Sequence, residues 1–168
     1  SWTESTYSDW DLTNISCDDD DSNWDLTTKT VNVVLSPAEH VTCTITNTKH
    51  AKLTIIKQVD TNNDGVIDIQ NATDWTWDIA NGDQNIATGQ SKDLIPGSYT
   101  ITEDQKSDYR LKNWTCSNET SGTQNSINVR LSPGEQVTCT ITNTRKTGNI
   151  KVCKVVLDED GNIVNGTA

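Results

Sequence analysis

Residues 131–144 read LSPGEQVTCTITNT, and residues 35–48 read LSPAEHVTCTITNT. In both stretches Val, Cys and Ile alternate with Thr, the period of a strand that buries one face. The Ser-Pro-Gly or Ser-Pro-Ala ahead of each is turn chemistry. Working outward, the likeness continues upstream: residues 102–116 read TEDQKSDYRLKNWTC, and residues 3–17 read TESTYSDWDLTNISC. The copies lie 99 residues apart at Cys17 and Cys116, and 96 apart at Cys43 and Cys139, so one loop is shorter in the second. A period of about one small domain means tandem modules rather than a solenoid of short units.

The repeat divides the 168 residues. Residues 1–48 form the C-terminal part of one module, and residues 49–146 form a complete one. Residues 147–168 open a third, because NIKVCKVV (149–156) aligns with AKLTIIKQV (51–59). Two readings follow. The chain is a window of a longer repeat protein, or its last strand completes the N-terminal module of a neighbouring copy.

Period-two alternation runs throughout, with no helical pattern of useful length. It covers Val31, Val33 and Leu35; Val41, Cys43 and Ile45; Trp75, Trp77 and Ile79; Tyr99 and Ile101; Ile127, Val129 and Leu131; and Val137, Cys139 and Ile141. Turns are expected at Asn63-Asp64-Gly65, Asn81-Gly82, Pro96-Gly97, Pro133-Gly134 and Asp160-Gly161. Together these predict an all-β chain of tandem antiparallel β-sandwich modules.

Composition narrows the function. The net charge is −11 without clustered Lys or Arg, which argues against a nucleic-acid partner. No apolar run approaches the length of a membrane span. Four of five cysteines fall in register between the copies, which favours disulfides Cys17–Cys43 and Cys116–Cys139 in an oxidising, extracellular setting over metal binding. Cys153 is odd, as a free thiol or as one half of an intermolecular bridge. His40 and His50 are the only histidines, and no conventional catalytic set accompanies them.

The order IIKQVD, IPGSYTITED and LSPGEQVTCTITNT resembles the prealbumin-like modules of bacterial surface proteins, the Cna protein B-type or SpaA-type family, in a cysteine-bearing form. The resemblance implies an immunoglobulin-like sandwich and an intramolecular isopeptide bond. The lysine would come from the first strand and the asparagine from the last, beside a glutamate on the strand reading YxxxE. Lys57, Asn143 and Glu103 fall on those positions. Strand parity points the same way independently, since Lys57 shares a face with Leu53 and Ile55, Glu103 with Tyr99 and Ile101, and Asn143 with Cys139 and Ile141. Three polar groups facing a small core are costly unless they satisfy one another. Burial favours a neutral amine and a protonated carboxyl. The plainer alternative is an ordinary buried Lys–Glu pair with Asn143 capping a turn.

Across copies, Glu4 and Asn47 repeat the positions of Glu103 and Asn143, while Ile150, Val152 and Lys154 repeat the inward face of the first strand. Lys154 of one molecule would then meet Glu4 and Asn47 of the next, head to tail. Asp60, Asn62, Asp64, Val66 and Asp68 resemble the front of a calcium loop, without its closing glutamate. The competing reading is a solvated acidic hairpin. N-glycosylation is expected at the sequons Asn14, Asn71, Asn113, Asn118 and Asn165, with Asn14 and Asn113 at matching positions. The function expected is a structural, non-enzymatic element of an extracellular fibre, stalk or filament. The rival is a surface adhesin or carbohydrate-binding module using Trp10, Trp24 and Trp114.

Overall fold

A computed structural model of the chain describes residues 1–164, all strand and loop with no helix. The N-terminal copy contains β1 (Trp2–Thr3), β2 (Trp10–Cys17), β3 (Asn23–Asp25), β4 (Thr30–Asn32) and β5 (Cys43–Lys49). β2 pairs antiparallel with β5 from Trp10↔Lys49 to Cys17↔Cys43, with a bulge between Leu12 and Asn14. β4 lies between β1 and β3 in a small separate sheet.

The complete module follows after His50 alone. It contains β6 (Ala51–Asp60), β7 (Thr76–Ile79), β8 (Ile86–Ala87), β9 (Ser91–Leu94), β10 (Gly97–Glu103), β11 (Tyr109–Cys116), β12 (Ser121–Gly122), β13 (Ser126–Leu131) and β14 (Gln136–Arg145). One sheet has the order β12-β11-β14-β6-β9 and the other β13-β10-β7-β8. Inward residues of both sheets make one core, including Leu53, Ile55, Trp77, Ile101, Val129, Leu131, Val137 and Ile141. β-Branched and aromatic side chains on alternate positions suit such a half-buried pleated surface.

The pairing of β11 with β14 repeats that of β2 with β5. It runs from Tyr109↔Arg145 to Cys116↔Cys139 and bulges between Leu111 and Asn113. β10 and β13 pair Ile101 with Ile127, matching Trp2 with Val31 in β1 and β4. Even the exit is copied: His50 N–H donates to Asp9 O at 2.8 Å, and Lys146 N–H to Asp108 O at 2.8 Å. The turn before the last strand differs in one respect. Gly134 adopts φ +72°, which glycine tolerates, whereas Ala38 carries φ +67° in the other copy.

Most pairs are antiparallel, as expected, but β6 and β14 run parallel through nine consecutive residues, from Lys52↔Gln136 to Asp60↔Thr144. The first and last strands of the module are therefore neighbours. Alternation alone reveals which face a residue takes, not which strand lies beside it.

The alternation also overstates burial in the N-terminal copy. Val31 is buried, yet Val33 and Leu35 are exposed and lie beyond the end of β4. Leu35 is 65% exposed where Leu131, its counterpart, is 2% exposed. The sheet that covers Leu131 has no equivalent over Leu35 among the described residues.

After β14, residues 146–155 form no strand, and β15 (Val156–Leu157) and β16 (Ile163–Val164) close a hairpin through the Asp160-Gly161 turn. No helix among the described residues is long and apolar enough to cross a membrane.

Candidate cross-link site

Alternation along β6 places Lys57 on the core side below Leu53 and Ile55, and its side chain is fully buried. Glu103, at the end of β10, and Asn143, near the end of β14, are buried on facing sheets. The three meet. Lys57 Nζ lies 2.8 Å from Glu103 Oε1 and donates to the Ile141 carbonyl at 3.3 Å. Glu103 Oε2 accepts from Asn143 Nδ2 at 2.7 Å. One carboxylate thus touches both the amine and the carboxamide. Glu103 Oε1 is engaged by this Lys57 contact alone, and Asn143 Oδ1 has no hydrogen-bond partner.

The indole of Trp75 caps the lysine, its ring centre 4.5 Å from Nζ, and Tyr109 packs edge-on against that ring at 5.5 Å. Lys106 Nζ also lies over the Trp75 ring, at 4.7 Å. Burial is the main force on the Lys57 amine and lowers its pKa to about 8; Glu103 opposes the shift, and Lys106 adds to it. A nucleophile with an accessible neutral form thus sits on the same carboxylate as an amide whose carbonyl oxygen is unpartnered. These are the parts needed for attack on Asn143 Cγ with loss of ammonia. Sequence parity finds the three polar residues. It treats Trp75 only as core, and nothing local marks it, or Lys106, as covering the amine.

The N-terminal copy holds part of the same arrangement. Asn47 Nδ2 donates to Glu4 Oε1, as Asn143 does to Glu103. Lys154 is exposed and makes no ion pair among the described residues, so within one chain it is not brought to Glu4 and Asn47. Disulfides Cys17–Cys43 and Cys116–Cys139 both form, and Cys153 is free and exposed.

The acidic loop closes on itself. Asp60 accepts from Asn63 N–H at 2.6 Å and Gly65 N–H at 3.0 Å; Asp68 accepts from Thr61 N–H at 2.6 Å; Asp64 accepts from Val66 N–H at 2.8 Å. Asn62 donates to Asp64 at 3.0 Å. Among the described residues, no three His, Cys, Asp or Glu side chains are grouped to hold a metal ion. Asn14, Asn71 and Asn113 are exposed, and Asn118 is half-buried with its amide on the Arg130 carbonyl. Asn165 lies outside the described residues. Trp10 and Trp24 are exposed, but Trp114 is buried with its indole N–H on the Gln124 carbonyl at 3.1 Å, which removes it from any sugar-stacking surface.

No curated protein and no solved structure gives a match to the chain. A family model described as a prealbumin-like fold domain matches residues 48–141. That span takes in Lys57, Glu103 and one of the two cysteine pairs, and stops two residues short of Asn143. The match covers more than half of the sequence and agrees with the two-sheet architecture: the chain belongs to the SpaA-type prealbumin-like domain family.

Proposed function

We propose that this chain is a load-bearing, non-enzymatic element of an extracellular fibre or stalk, and that Lys57 and Asn143 join in an isopeptide bond. The observation carrying this reading is the single buried carboxylate that contacts both side chains. The Lys57 amine attacks Asn143 Cγ. Glu103 takes a proton from the attacking nitrogen and passes it to the departing one, so an N–C bond forms, the Asn143 C–N bond breaks, and ammonia leaves.

Strand order gives the bond a mechanical purpose. Tension enters at the start of β6 and leaves at the end of β14. Because these strands are parallel neighbours, pulling shears nine residue pairs together instead of unzipping them singly. A bond from residue 57 to residue 143 transmits the load directly. The 85 residues between them then cannot extend, which withholds about 290 Å of chain. The disulfides persist where the environment is oxidising, in keeping with a surface location.

Intact mass of the full chain tests the bond. The expected mass is one ammonia below that calculated with both disulfides closed, restored to the calculated value by Glu103→Gln or Lys57→Ala. A wild-type mass without the deficit overturns the reading.

A further inference from the structure

The indole of Trp75 carries two cations. Lys57 Nζ lies 4.5 Å from its ring centre and Lys106 Nζ 4.7 Å, so at most about 9 Å separates the two nitrogens. Trp75 is 3% exposed, and a buried ring rather than water fills the space they share. Tyr109 packs edge-on against that ring, and Val59 and Ala72 cluster with it.

Lys106 is fixed at two points. It sits in the turn from β10 to β11, where its carbonyl accepts from Tyr109 N–H at 3.0 Å. Its ammonium pairs with Asp74, the residue before Trp75. A partly exposed ion pair of this kind contributes little stability by itself. Its consequence is positional: the Lys106 charge stays over the ring.

An indole face attracts a cation and so favours the charged form of Lys57. That works against a nucleophile, which needs the amine neutral. A second cation on the same ring opposes the first, because like charges at this range repel. The lowered Lys57 pKa, to which Lys106 contributes, agrees in direction. The other neighbours do not supply this push. Glu103 from β10 favours the charged amine, and Asp104 beside it accepts from the Thr76 hydroxyl. From β14 come the Ile141 carbonyl and the Asn143 carboxamide, both uncharged. Tyr109 from β11 meets the ring of Trp75.

We propose that Lys106, held by Asp74, is a positioning residue for the cross-link: its ammonium, on the indole that caps Lys57, drives the Lys57 amine toward its neutral, nucleophilic form. On the isopeptide reading above, on which this role in closure rests, the proton that Lys57 gives up passes to Glu103 Oε1, 2.8 Å away.

Lys106→Met tests this at the surface, keeping the stem and removing the charge. The full chain carrying Asn143→Leu leaves Lys57 unreacted, so its titration can be followed whether or not the isopeptide forms in the parent. Carbon-13 NMR of labelled lysine side chains, with Lys57→Met to assign the signal, should show the Lys57 midpoint rising by roughly half a pH unit in Lys106→Met. Lys106→Arg should return it to the starting value. Asp74→Asn added to Lys106→Met should keep the rise. An unmoved midpoint, or one moved as far by Lys106→Arg, overturns the proposal. So does a double variant that falls back to the start, since the freed carboxylate would then be the cause. In the reactive chain, freshly made by cell-free translation, Lys106→Met should slow ammonia loss about threefold at neutral pH. A titration that moves while ammonia loss keeps its rate overturns the role in closure.

Discussion

The N-terminal copy and the complete module pair β2 with β5 and β11 with β14 in the same register, yet they differ in what is buried. Both pair the same cysteines, bulge at the same place and hold the same Asn–Glu hydrogen bond. Among the described residues, the complete module has a first strand beside its last and a full opposing sheet, and the N-terminal copy shows neither. Pairing is therefore set by nearby sequence, through alternation, bulge and disulfide. Burial needs partners distant in the chain, and stability follows burial.

The largest break in this comparison comes from Lys57. Lys57→Ala removes the proposed cross-link and leaves Glu103 buried without the nitrogen it faces; stranding one member of a buried pair alone costs about 3–5 kcal/mol. Lys57→Ala should lower the melting temperature of the complete module sharply and eliminate its ammonia loss. In the N-terminal copy, hydrogen exchange along β2 and β5 should stay unchanged. A melting curve unmoved by Lys57→Ala would mean that the three polar groups contribute little to holding the sheets together.

Leu131 and Leu35 sharpen the contrast with one substitution made twice. Leu131→Ala empties a filled core position and should cost about 2–5 kcal/mol. Leu35→Ala, on an exposed side chain, should stay within about 0.5 kcal/mol. Denaturant melts of the two variants read the difference directly, and equal costs would show that Leu35 is covered in solution.

The disulfides come next. Opening Cys116–Cys139 with paired alanines should cost the complete module about 2–4 kcal/mol. The same change at Cys17 and Cys43 should leave that module's melting transition where it was, because the cross-link lies in the other copy.

How much of this could be read beforehand depends on how local the cause is. The inward aim of Lys57, Glu103 and Asn143 was legible, because side-chain direction along a strand is a period-two property of adjacent residues. The paired cysteines were legible because the repeat aligned them. Val33 and Leu35 misled for the converse reason: their alternation is intact, but burial requires a facing sheet. The parallel contact of β6 with β14 was hidden, since both strands show the same alternation whatever lies beside them. The loop from Asp60 to Asp68 carries the Asp, Asn and Gly that tight turns and cation sites both draw on, so the residue types alone do not choose between them. Here the carboxylates hold the loop's own amides.

The smallest effect is one of pH, and it separates the copies because, among the described residues, a lysine faces the Asn–Glu pair in the complete module alone. Asn143→Leu removes the electrophile and keeps Lys57 buried and unreacted. Folding lowers the Lys57 pKa from 10.5 to about 8, chiefly by burial. Between those values the unfolded chain holds more protons than the folded one, so stability rises with pH across that window. Below about 8 both states are protonated and the cost of burying the charge is present in full. Urea melts of Asn143→Leu should therefore gain about 1 kcal/mol per pH unit above that point, relative to Lys57→Met/Asn143→Leu, which lacks the amine. Parallel pH profiles for the two variants would mean that the amine stays charged in the core, and Lys57 would then be an ion-pair partner and no nucleophile.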